Sequence, residues 1–253
     1  MSDYNSQDLR ARAAEARGQA GVDIDQGLRS YMLGVYNYMA GALVITGLAA
    51  YALFSAAFVE SAQGLQLTSL GASIYNSPIQ YVLMFAPLAF VLVLSFGINK
   101  LSASATQMLF WAFSAIMGLS LSYIFAVYQL GSITQVFLIT AIAFGGLSLY
   151  GYTTKRDLSA MGAFMVMGLI GIIVASLVNL FLQSSALQFA ISVIGVLVFA
   201  GLTAWDTQKI KSMYNAAEDS ATRTKKSVMG ALTLYLDFIN MFLFLLRLFG
   251  DRR

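Results

Sequence analysis

Seven long apolar runs occupy most of the chain beyond Arg29, and they restrict its fold more than any other feature of the sequence. The runs lie at residues 31–59, 79–97, 105–127, 133–150, 158–182, 187–205 and 228–249. A helix needs about 20 residues to cross the hydrocarbon part of a bilayer. The sequence therefore predicts an all-α integral membrane protein with seven transmembrane helices, and it predicts no β-strands.

The composition excludes a water-soluble domain and several kinds of chemistry. Of the 253 residues, 58% are hydrophobic and only 11% are charged, whereas charged residues make up about a quarter of a typical soluble domain. With no Cys and no His, the chain lacks thiolate and imidazole metal ligands and any Ser-His or Cys-His pair. We expect neither an enzyme nor a bound cofactor, and the net charge of +3 does not indicate a nucleic-acid partner.

The first 30 residues differ from the rest of the chain. They contain nine of the 27 charged residues, and they have neither the apolar segment nor the small-residue cleavage site of a secretory signal peptide. We predict a mobile cytosolic tail over residues 1–30, with a short helix near residues 8–17. The transmembrane domain follows over residues 31–250, and residues 251–253 form a short carboxyl-terminal tail.

The Lys and Arg residues predict the orientation, because short loops rich in these residues stay in the cytoplasm. With the amino terminus in the cytoplasm, twelve of the fifteen Lys and Arg residues fall on that side. The loops assigned to the opposite side, at 60–78, 128–132 and 183–186, contain no Lys or Arg.

The seventh run leaves two arrangements open for the carboxyl terminus. Arg247, Arg252 and Arg253 lie outside if this run crosses the membrane, and inside if it re-enters on the same side. Its 22 residues are long enough to cross a bilayer. We therefore favour crossing.

Asp237 is the most informative residue, because an ionisable side chain inside a membrane is costly unless it is paired or hydrated. Helical spacing predicts one polar stripe on the seventh helix. The stripe consists of Thr233, Asp237, Asn240, Phe244 and Arg247. It should face protein or water, either for a function or simply to form hydrogen bonds between helices.

A second carboxylate, Asp206, lies where the sixth run becomes polar. Taken alone, Asp206 is explained as well by a solvated position at a helix end as by a functional role. If the sixth helix continues to about Ile210, however, Asp206 and Asp237 reach similar depths. Two carboxyl groups that approach each other away from water cannot both ionise cheaply, so one is expected to retain a proton. Such a pair would sense pH without histidine.

The same pair could hold a divalent cation, because Ca²⁺ prefers oxygen ligands and can complete its shell from backbone carbonyls and water. Asp206 and Asp237 alone suit a weak, transient calcium site at which protons compete with the cation. Lys100, just past the second run, could act as a latch on the ionised pair from the cytoplasmic side. Asn240 and Arg247 are further supporting polar residues.

Two features of the fourth and fifth runs are interpreted as structural. Asp157 or Ser159 is available to cap the helix that follows the turn near residues 152–158. Recurrent glycines are expected to allow close contact between helices rather than to form a phosphate-binding loop. These are Gly145, Gly146, Gly162, Gly168 and Gly171.

Three segments resemble the transmembrane Bax inhibitor motif family, in particular its bacterial branch. They are residues 231–250 with Leu-Tyr-Leu-Asp-Phe-Ile-Asn, residues 204–211 with Asp-Thr-Gln-Lys-Ile, and residues 154–162 with Lys-Arg-Asp-Leu-Ser. The match extends in segment order over about residues 29–250, and its carboxyl-terminal motif is highly specific. The short tail Asp-Arg-Arg also resembles bacterial members, which implies the bacterial inner membrane.

The resemblance implies a seven-helix fold in which the last helix is central among the other six. It also implies a pH-sensitive Ca²⁺ leak, with Asp206 and Asp237 as the pH-sensing dyad. In some members a basic residue at the end of the second helix pairs with that dyad. Lys100 matches this position, where Arg is expected, and Trp205 precedes the first Asp where Tyr is common.

Several functions stay open from the sequence. The first is a passive cation pathway in which deprotonation of the dyad opens the cytoplasmic side to Ca²⁺. The second is a membrane interaction protein, because bacterial relatives are described as modulators of a membrane-bound protease and eukaryotic ones as suppressors of cell death. A proton/calcium exchanger is the third. An intramembrane aspartyl protease is disfavoured, because Asp237 follows Leu-Tyr-Leu rather than Gly-x-Gly and no Pro-Ala-Leu element is found.

Overall fold

The computed structural model describes the backbone of residues 3–62 and 64–253, and side chains from Gln26 onward apart from residue 63. The elements are α1 (Asp3–Ala57), β1 (Phe58–Ser61), β2 (Gly64–Leu67), α2 (Ser69–Tyr75), α3 (Ile79–Gly97), α4 (Ala103–Leu121), α5 (Ile124–Val127), α6 (Leu130–Thr153), α7 (Ser159–Leu182), α8 (Ser185–Ser212) and α9 (Ser220–Phe249). Within this described part, seven helical segments are long and apolar enough to cross a membrane. The prediction of an all-α integral membrane protein with seven spans is confirmed.

The first helix is longer than the apolar run that predicted it. The backbone is helical from Asp3 to Ala57, so α1 includes the helix predicted near residues 8–17. Its membrane-spanning part begins at Gln26. Residues 1 and 2, and the side chains up to residue 25, lie outside the described part of the chain. The mobile cytosolic tail over residues 1–30 therefore stays a prediction.

The prediction of no β-strands was wrong at one end of the bundle. β1 and β2 pair antiparallel, from Phe58 opposite Leu67 to Ser61 opposite Gly64. α2 follows the hairpin. The Oγ1 of Thr68 caps this helix by accepting a hydrogen bond from the backbone N–H of Gly71 at 3.1 Å. Strands of four residues are too short to show the alternation by which strands are recognised in a sequence.

The charged segment at residues 206–227 is mostly helical rather than a loop. α8 continues through Asp206 to Ser212 and α9 begins at Ser220, so only residues 213–219 connect them. The carboxylate of Asp219 caps α9 by accepting a hydrogen bond from the backbone N–H of Thr222 at 3.3 Å. Apolar runs identify the part of a helix that lies in hydrocarbon, whereas these helices continue beyond it.

α9 is the central helix, as the family resemblance implies. It packs mainly against α1, α4, α6 and α8, while α3 packs on α4 and α7 packs on α8. Tyr235 illustrates this packing, because its ring is fully buried and meets the Phe113 ring edge-on. Its hydroxyl forms a 2.7 Å hydrogen bond with the Oγ1 of Thr46 on α1.

The two ends of the bundle differ, and the chain terminus identifies them. The end that holds β1 and β2 is called the hairpin end, and the end that holds the turns near residues 98–102, 154–158 and 213–219 is called the basic end. Arg253 forms an ion pair with Glu60 of β1 at 3.1 Å. α9 therefore runs through the whole bundle from the basic end to the hairpin end, as the favoured crossing arrangement requires. The side of the membrane on which the carboxyl terminus lies stays a prediction.

The expected role of the glycines holds at two positions. A Cβ on Gly162 would overlap the Trp205 ring of α8, and one on Gly168 would lie 2.9 Å from a methyl group of Val198. At these positions the absence of a side chain lets α7 and α8 approach closely. The expectation was wrong for three others, where a Cβ would meet no atom within 4 Å. These are Gly145, Gly146 and Gly171.

Candidate functional site

Asp206 on α8 and Asp237 on α9 lie together in the interior of the bundle. Their exposed fractions are 7% and 5%, and their carboxyl groups are close enough to interact with each other. The extension of α8 beyond residue 205 is what brings the first carboxylate to the depth of the second. The structure thus brings together the two residues predicted as a dyad, while their pH-sensing role stays a prediction.

One oxygen of the pair has no protein partner. Among the described residues, no donor lies within hydrogen-bonding distance of the Oδ2 of Asp237, although this atom is buried. A buried carboxyl oxygen without a donor is unfavourable because it has lost its hydration. A proton, a water molecule or a cation at this oxygen would remove that cost.

The hydroxyl groups nearest to the pair along α8 are bonded elsewhere. The Oγ1 of Thr207 donates to the backbone oxygen of Thr203 at 2.7 Å. The Oγ1 of Thr203 in turn donates to the backbone oxygen of Phe199 at 2.7 Å. Both side chains are fully buried. These hydroxyls therefore satisfy the carbonyls of their own helix rather than the unpartnered carboxyl oxygen.

A chain of hydroxyl groups that sequence reasoning missed reaches α8 beside Asp206. The hydroxyl of Tyr36 on α1 forms a 2.7 Å hydrogen bond with the Oγ of Ser148 on α6. That Oγ forms a 2.9 Å hydrogen bond with the Oγ1 of Thr207. In the sequence, only the position of Thr207 next to Asp206 could have indicated this chain of hydroxyl groups, because Tyr36 and Ser148 are isolated polar residues within apolar runs.

The structure does not bring Lys100 to the carboxylate pair. Lys100 lies exposed at the end of α3, and no ion pair or hydrogen bond joins it to Asp206 or Asp237 within the described part of the chain. The turn is held instead by Lys225 of α9, whose Nζ donates to the backbone oxygens of Ile98 at 3.0 Å and of Leu101 at 3.3 Å.

A different cation lies near the first carboxylate. Lys209, one turn further along α8, interacts electrostatically with Asp206. Its Nζ lies 4.9 Å from the centroid of the Trp205 ring. The cation that acts on Asp206 therefore comes from α8 itself rather than from the end of α3, although Lys209 is exposed and the structure, which describes both residues, shows no ion pair between them.

The remaining members of the predicted stripe serve different surroundings. Asn240 donates from its Nδ2 to the backbone oxygen of Leu236 at 2.8 Å, within its own helix. The guanidinium of Arg247 lies 5.5 Å from the centroid of the Phe244 ring. Arg247 also lines a polar cleft of about 470 Å³ with Asn179 and other residues of α7 and α8. This cleft belongs to the hairpin end, about 15 Å along α9 from Asp237.

Comparisons with known proteins identify the family. A family model described as "Inhibitor of apoptosis-promoting Bax1" matches residues 28–253 of this chain. The chain belongs to the Bax inhibitor family. The resemblance seen in the sequence is thereby confirmed, and the matched range includes Asp206, Asp237 and Lys100.

Bacterial relatives of this Bax inhibitor family protein cover nearly its whole length. The uncharacterized protein RP147 of Rickettsia prowazekii (strain Madrid E) is 51% identical over 230 residues, which are 90% of this chain and 92% of the relative. The inner membrane protein YbhL of Escherichia coli (strain K12) is 51% identical over 90% of this chain and 94% of its own length. An uncharacterized protein of Caulobacter vibrioides is 42% identical over 100% of both chains.

The available side-chain donors restrict any cation site that the pair could form. Within the described residues, no group of three or more His, Cys, Asp or Glu side chains could hold a metal ion. Asp206 and Asp237 would have to be supplemented by backbone carbonyls or water to surround Ca²⁺. Such a donor set suits brief occupancy by a passing cation rather than tight storage.

Two exposed carboxylates at the basic end have a separate, structural role. The Oδ1 of Asp157 accepts a hydrogen bond from the backbone N–H of Ser159 at 2.9 Å at the start of α7. Hydrogen bonds from Ser159 lower the pKa of Asp157. The pKa of Asp219 is also lowered, and its hydrogen bond with the Thr222 side chain is the largest cause. The N-cap residue of α7 is Leu158, which forms no side-chain cap. Of the two predicted candidates, Asp157 lies one residue before it and accepts the hydrogen bond from Ser159, which is the first residue of the helix.

Proposed function

We propose that this Bax inhibitor family protein is a pH-sensitive pathway for cations, with calcium as the transported ion, in the bacterial inner membrane. Protonation of the Asp206–Asp237 pair controls it. The single observation that supports this proposal is the close approach of two buried carboxyl groups inside a seven-span bundle, with one of their oxygens lacking a partner among the described residues. The name of YbhL as an inner membrane protein supports the location.

The pair can act as a switch because a hydrogen bond between its two carboxyl groups needs a proton. Two ionised carboxylates have only acceptors, so a hydrogen bond between Asp206 and Asp237 requires that one of them be protonated. Removing that proton leaves two negative charges in an environment that screens them poorly. Deprotonation therefore replaces an attraction between α8 and α9 by a repulsion, which favours opening on the side of the basic end.

A cation would respond to the same change in charge. The deprotonated pair offers carboxylate oxygens to Ca²⁺, and protons compete for those oxygens. Transport along the electrochemical gradient of calcium then needs no catalytic step. The same chemistry would also serve proton/calcium exchange, in which each passing cation is accompanied by protons moving the other way.

A route from the pair to the hairpin end requires a change in the packing of α8 against α9. The rings of Phe199 and Phe244 stack with their centroids 5.9 Å apart. A Cβ on Gly195 would lie 2.6 Å from the Phe244 ring, so this ring fills the space between the helices. Movement of Phe244 would connect the pair with the polar cleft that Arg247 lines.

The orientation that fits this proposal places the basic end in the cytoplasm. Lys155, Lys209, Lys211, Lys225 and Lys226 all lie at or near that end. The positive-inside tendency favours a cytoplasmic location for such a cluster. The carboxylate pair would then open toward the cytoplasm and the cleft at the hairpin end toward the periplasm.

The test is calcium entry into proteoliposomes loaded with a calcium-sensitive dye, measured between about pH 5 and pH 8. We expect wild-type flux to rise with pH, and Asp206→Asn and Asp237→Asn each to remove that dependence. Asp157→Asn is the matched control, because this carboxylate is exposed at the basic end and should leave the pH profile unchanged. Well-folded protein that gives no flux above empty liposomes would contradict the proposal and direct attention to a protein partner, such as a membrane-bound protease.

A further inference from the structure

A second cavity lies on the lipid-facing side of the bundle, between α1 and α6. It has a volume of about 610 Å³, and its walls are mainly apolar, with Met32, Leu33, Phe144 and Leu149 among them. Leu33 and Leu149 are 50% and 62% exposed. Because α1 and α6 both pack against α9, this cavity is a groove at the bundle surface, open to the bilayer.

The absence of a side chain at Gly145 contributes to the depth of the groove. Gly145 lines it, and a Cβ built there would meet no atom within 4 Å. The space is therefore open beside the backbone of α6. An acyl chain is a flexible apolar ligand that fits such a groove, because it fills the space with van der Waals contacts and leaves no polar group unpaired.

Cationic groups lie at one end of this groove. Arg29 lines it, is exposed, and belongs to the first turn of the membrane-spanning part of α1. Tyr152 lines the same end, and the Nζ of Lys211 donates to the Tyr152 backbone oxygen at 2.7 Å. The lining residues, all of which lie in the described part of the chain, include no Asp or Glu.

The position of these cations matches the position of a lipid headgroup. A basic pocket between transmembrane helices at the membrane surface attracts anionic headgroups, and Arg can bind a phosphate group through two parallel hydrogen bonds. The apolar part of the groove extends from Arg29 toward the middle of the bilayer. The groove thus has a phosphate-binding group at the membrane surface and an apolar channel for an acyl chain below it. The headgroup and acyl chain of a phospholipid have the same arrangement.

We propose that the groove between α1 and α6 binds one anionic phospholipid, with its phosphate on Arg29 and one acyl chain between the two helices. Lys211 adds positive charge beside the headgroup. The inner wall is closed by the hydrogen bond between Tyr36 and Ser148, so the bound lipid is separated from the carboxylate pair. This site does not depend on the proposed cation pathway.

The experiment measures lipid binding by the full-length protein, purified in detergent and analysed by native mass spectrometry. Phosphatidylglycerol is the probe, and phosphatidylcholine is the zwitterionic comparison. We expect wild-type protein to retain one phosphatidylglycerol in preference to phosphatidylcholine. Arg29→Gln should weaken phosphatidylglycerol binding about tenfold, which is the effect of losing one charge-assisted hydrogen-bonding contact. Lys155→Gln, also at the basic end but outside the groove, should leave it unchanged.

A second pair of variants tests the acyl-chain part of the site. Gly145→Leu places a side chain in the groove and should reduce the binding of both lipids. Gly146→Leu is its matched control, because a Cβ at this neighbouring position also meets no atom within 4 Å, whereas Gly146 does not line the groove. Binding by Gly146→Leu should equal that of the wild type.

Three results would overturn the proposal. They are equal binding of the two lipids by the wild type, undiminished phosphatidylglycerol binding by Arg29→Gln, and equal losses in Gly145→Leu and Gly146→Leu, which would indicate a nonspecific lipid layer. Each variant is compared with the wild type by its elution profile and Tm. Because Arg29 is exposed, its variant decides the outcome if Gly145→Leu fails to fold.

Discussion

α7 and α9 are both apolar enough to cross a membrane, yet they lie in opposite surroundings. The spanning window of α7 has the higher mean hydropathy, and only 6% of it is buried. The window of α9 is 72% buried, although α9 contains Asp237. In water the more apolar helix would be expected inside. In a bilayer the lipid is as apolar as a Leu side chain, so hydrophobicity alone does not draw helices together.

The comparison shows that polarity and shape select the central helix of this bundle. α9 presents a carboxylate to α8 and the Tyr235 hydroxyl to α1, and its large rings meet small residues such as Gly195. α7 offers mostly aliphatic side chains to lipid. The same type of substitution should therefore have very different effects on α7 and at the packing interfaces of α9.

The largest expected difference is between two Phe→Ala substitutions. Phe238 of α9 is 2% exposed and meets the rings of Phe137 and Phe144 at centroid distances of 5.3 and 5.5 Å. Phe238→Ala should reduce the free energy of unfolding by about 3–5 kcal/mol, because it creates a cavity. Phe181 of α7 is 89% exposed, so Phe181→Ala should change it by no more than about 0.5 kcal/mol. Unfolding by denaturing detergent in mixed micelles measures both, and equal losses would contradict the contrast between the helices.

A smaller difference is expected between two Gly→Ala substitutions. A Cβ at Gly195 would lie 2.6 Å from the Phe244 ring of α9, so Gly195→Ala should destabilise the protein by about 1–3 kcal/mol through overpacking. A Cβ at Gly171 of α7 meets no atom within 4 Å. Gly171→Ala should be neutral, or should stabilise α7 by up to about 1 kcal/mol because Gly is a poor helix former. A loss of Tm in Gly171→Ala would show that α7 has a packing partner on that face.

Removal of one buried hydroxyl should have a still smaller effect. Tyr235→Phe removes the hydrogen bond with Thr46 but keeps the ring, and it should cost about 1 kcal/mol. The Oγ1 of Thr46 still donates to the backbone oxygen of Ser114 at 2.9 Å, which limits the loss. Tyr81→Phe on α3 is the control, because Tyr81 is 58% exposed. Thermal unfolding should separate the two variants, and an equal Tm for them would contradict the assigned role of the Tyr235 hydroxyl.

The smallest expected effect is a pH dependence at the start of α9. The hydrogen bond with the Thr222 side chain is the largest contribution to the lowered pKa of Asp219. At pH values above the ordinary Asp pKa of 3.8, the ionised cap therefore stabilises α9. This contribution is lost as the pH falls through the lowered pKa of Asp219. Asp219→Ala should lower Tm slightly at neutral pH, whereas Asp219→Asn should keep a cap that does not titrate. An unchanged Tm in Asp219→Ala would show that this cap is dispensable.

Much of the fold could be predicted because a bilayer requires long apolar segments. The seven spans and the crossing of α9 follow from apolar length. The approach of Asp206 to Asp237 depended on whether the sixth helix continued beyond its apolar run, and the family resemblance implied it. The tertiary role of α9 came from the family resemblance. Mean hydropathy alone would have predicted α7, rather than α9, as the more buried helix.

The remaining features depend on contacts that a single sequence does not reveal. Lys225, not Lys100, binds the turn after α3, because α9 starts well before its apolar run and carries Lys225 to that turn. Gly145 and Gly162 are alike in the sequence, but one faces open space and the other a Trp ring. The surroundings of each residue depend on which neighbouring helix its side of the helix packs against.

The central claim is that Asp206 and Asp237 act as one coupled switch. Its most direct test compares the pH profile of calcium flux in proteoliposomes for Asp206→Asn, Asp237→Asn and the double variant. If the two carboxyl groups share one function, either single substitution removes the pH dependence, and the double variant behaves like the singles because the effects of coupled residues do not add. Single variants that each keep part of the pH dependence, with losses that add in the double variant, would show that the two carboxylates act independently and would contradict the account.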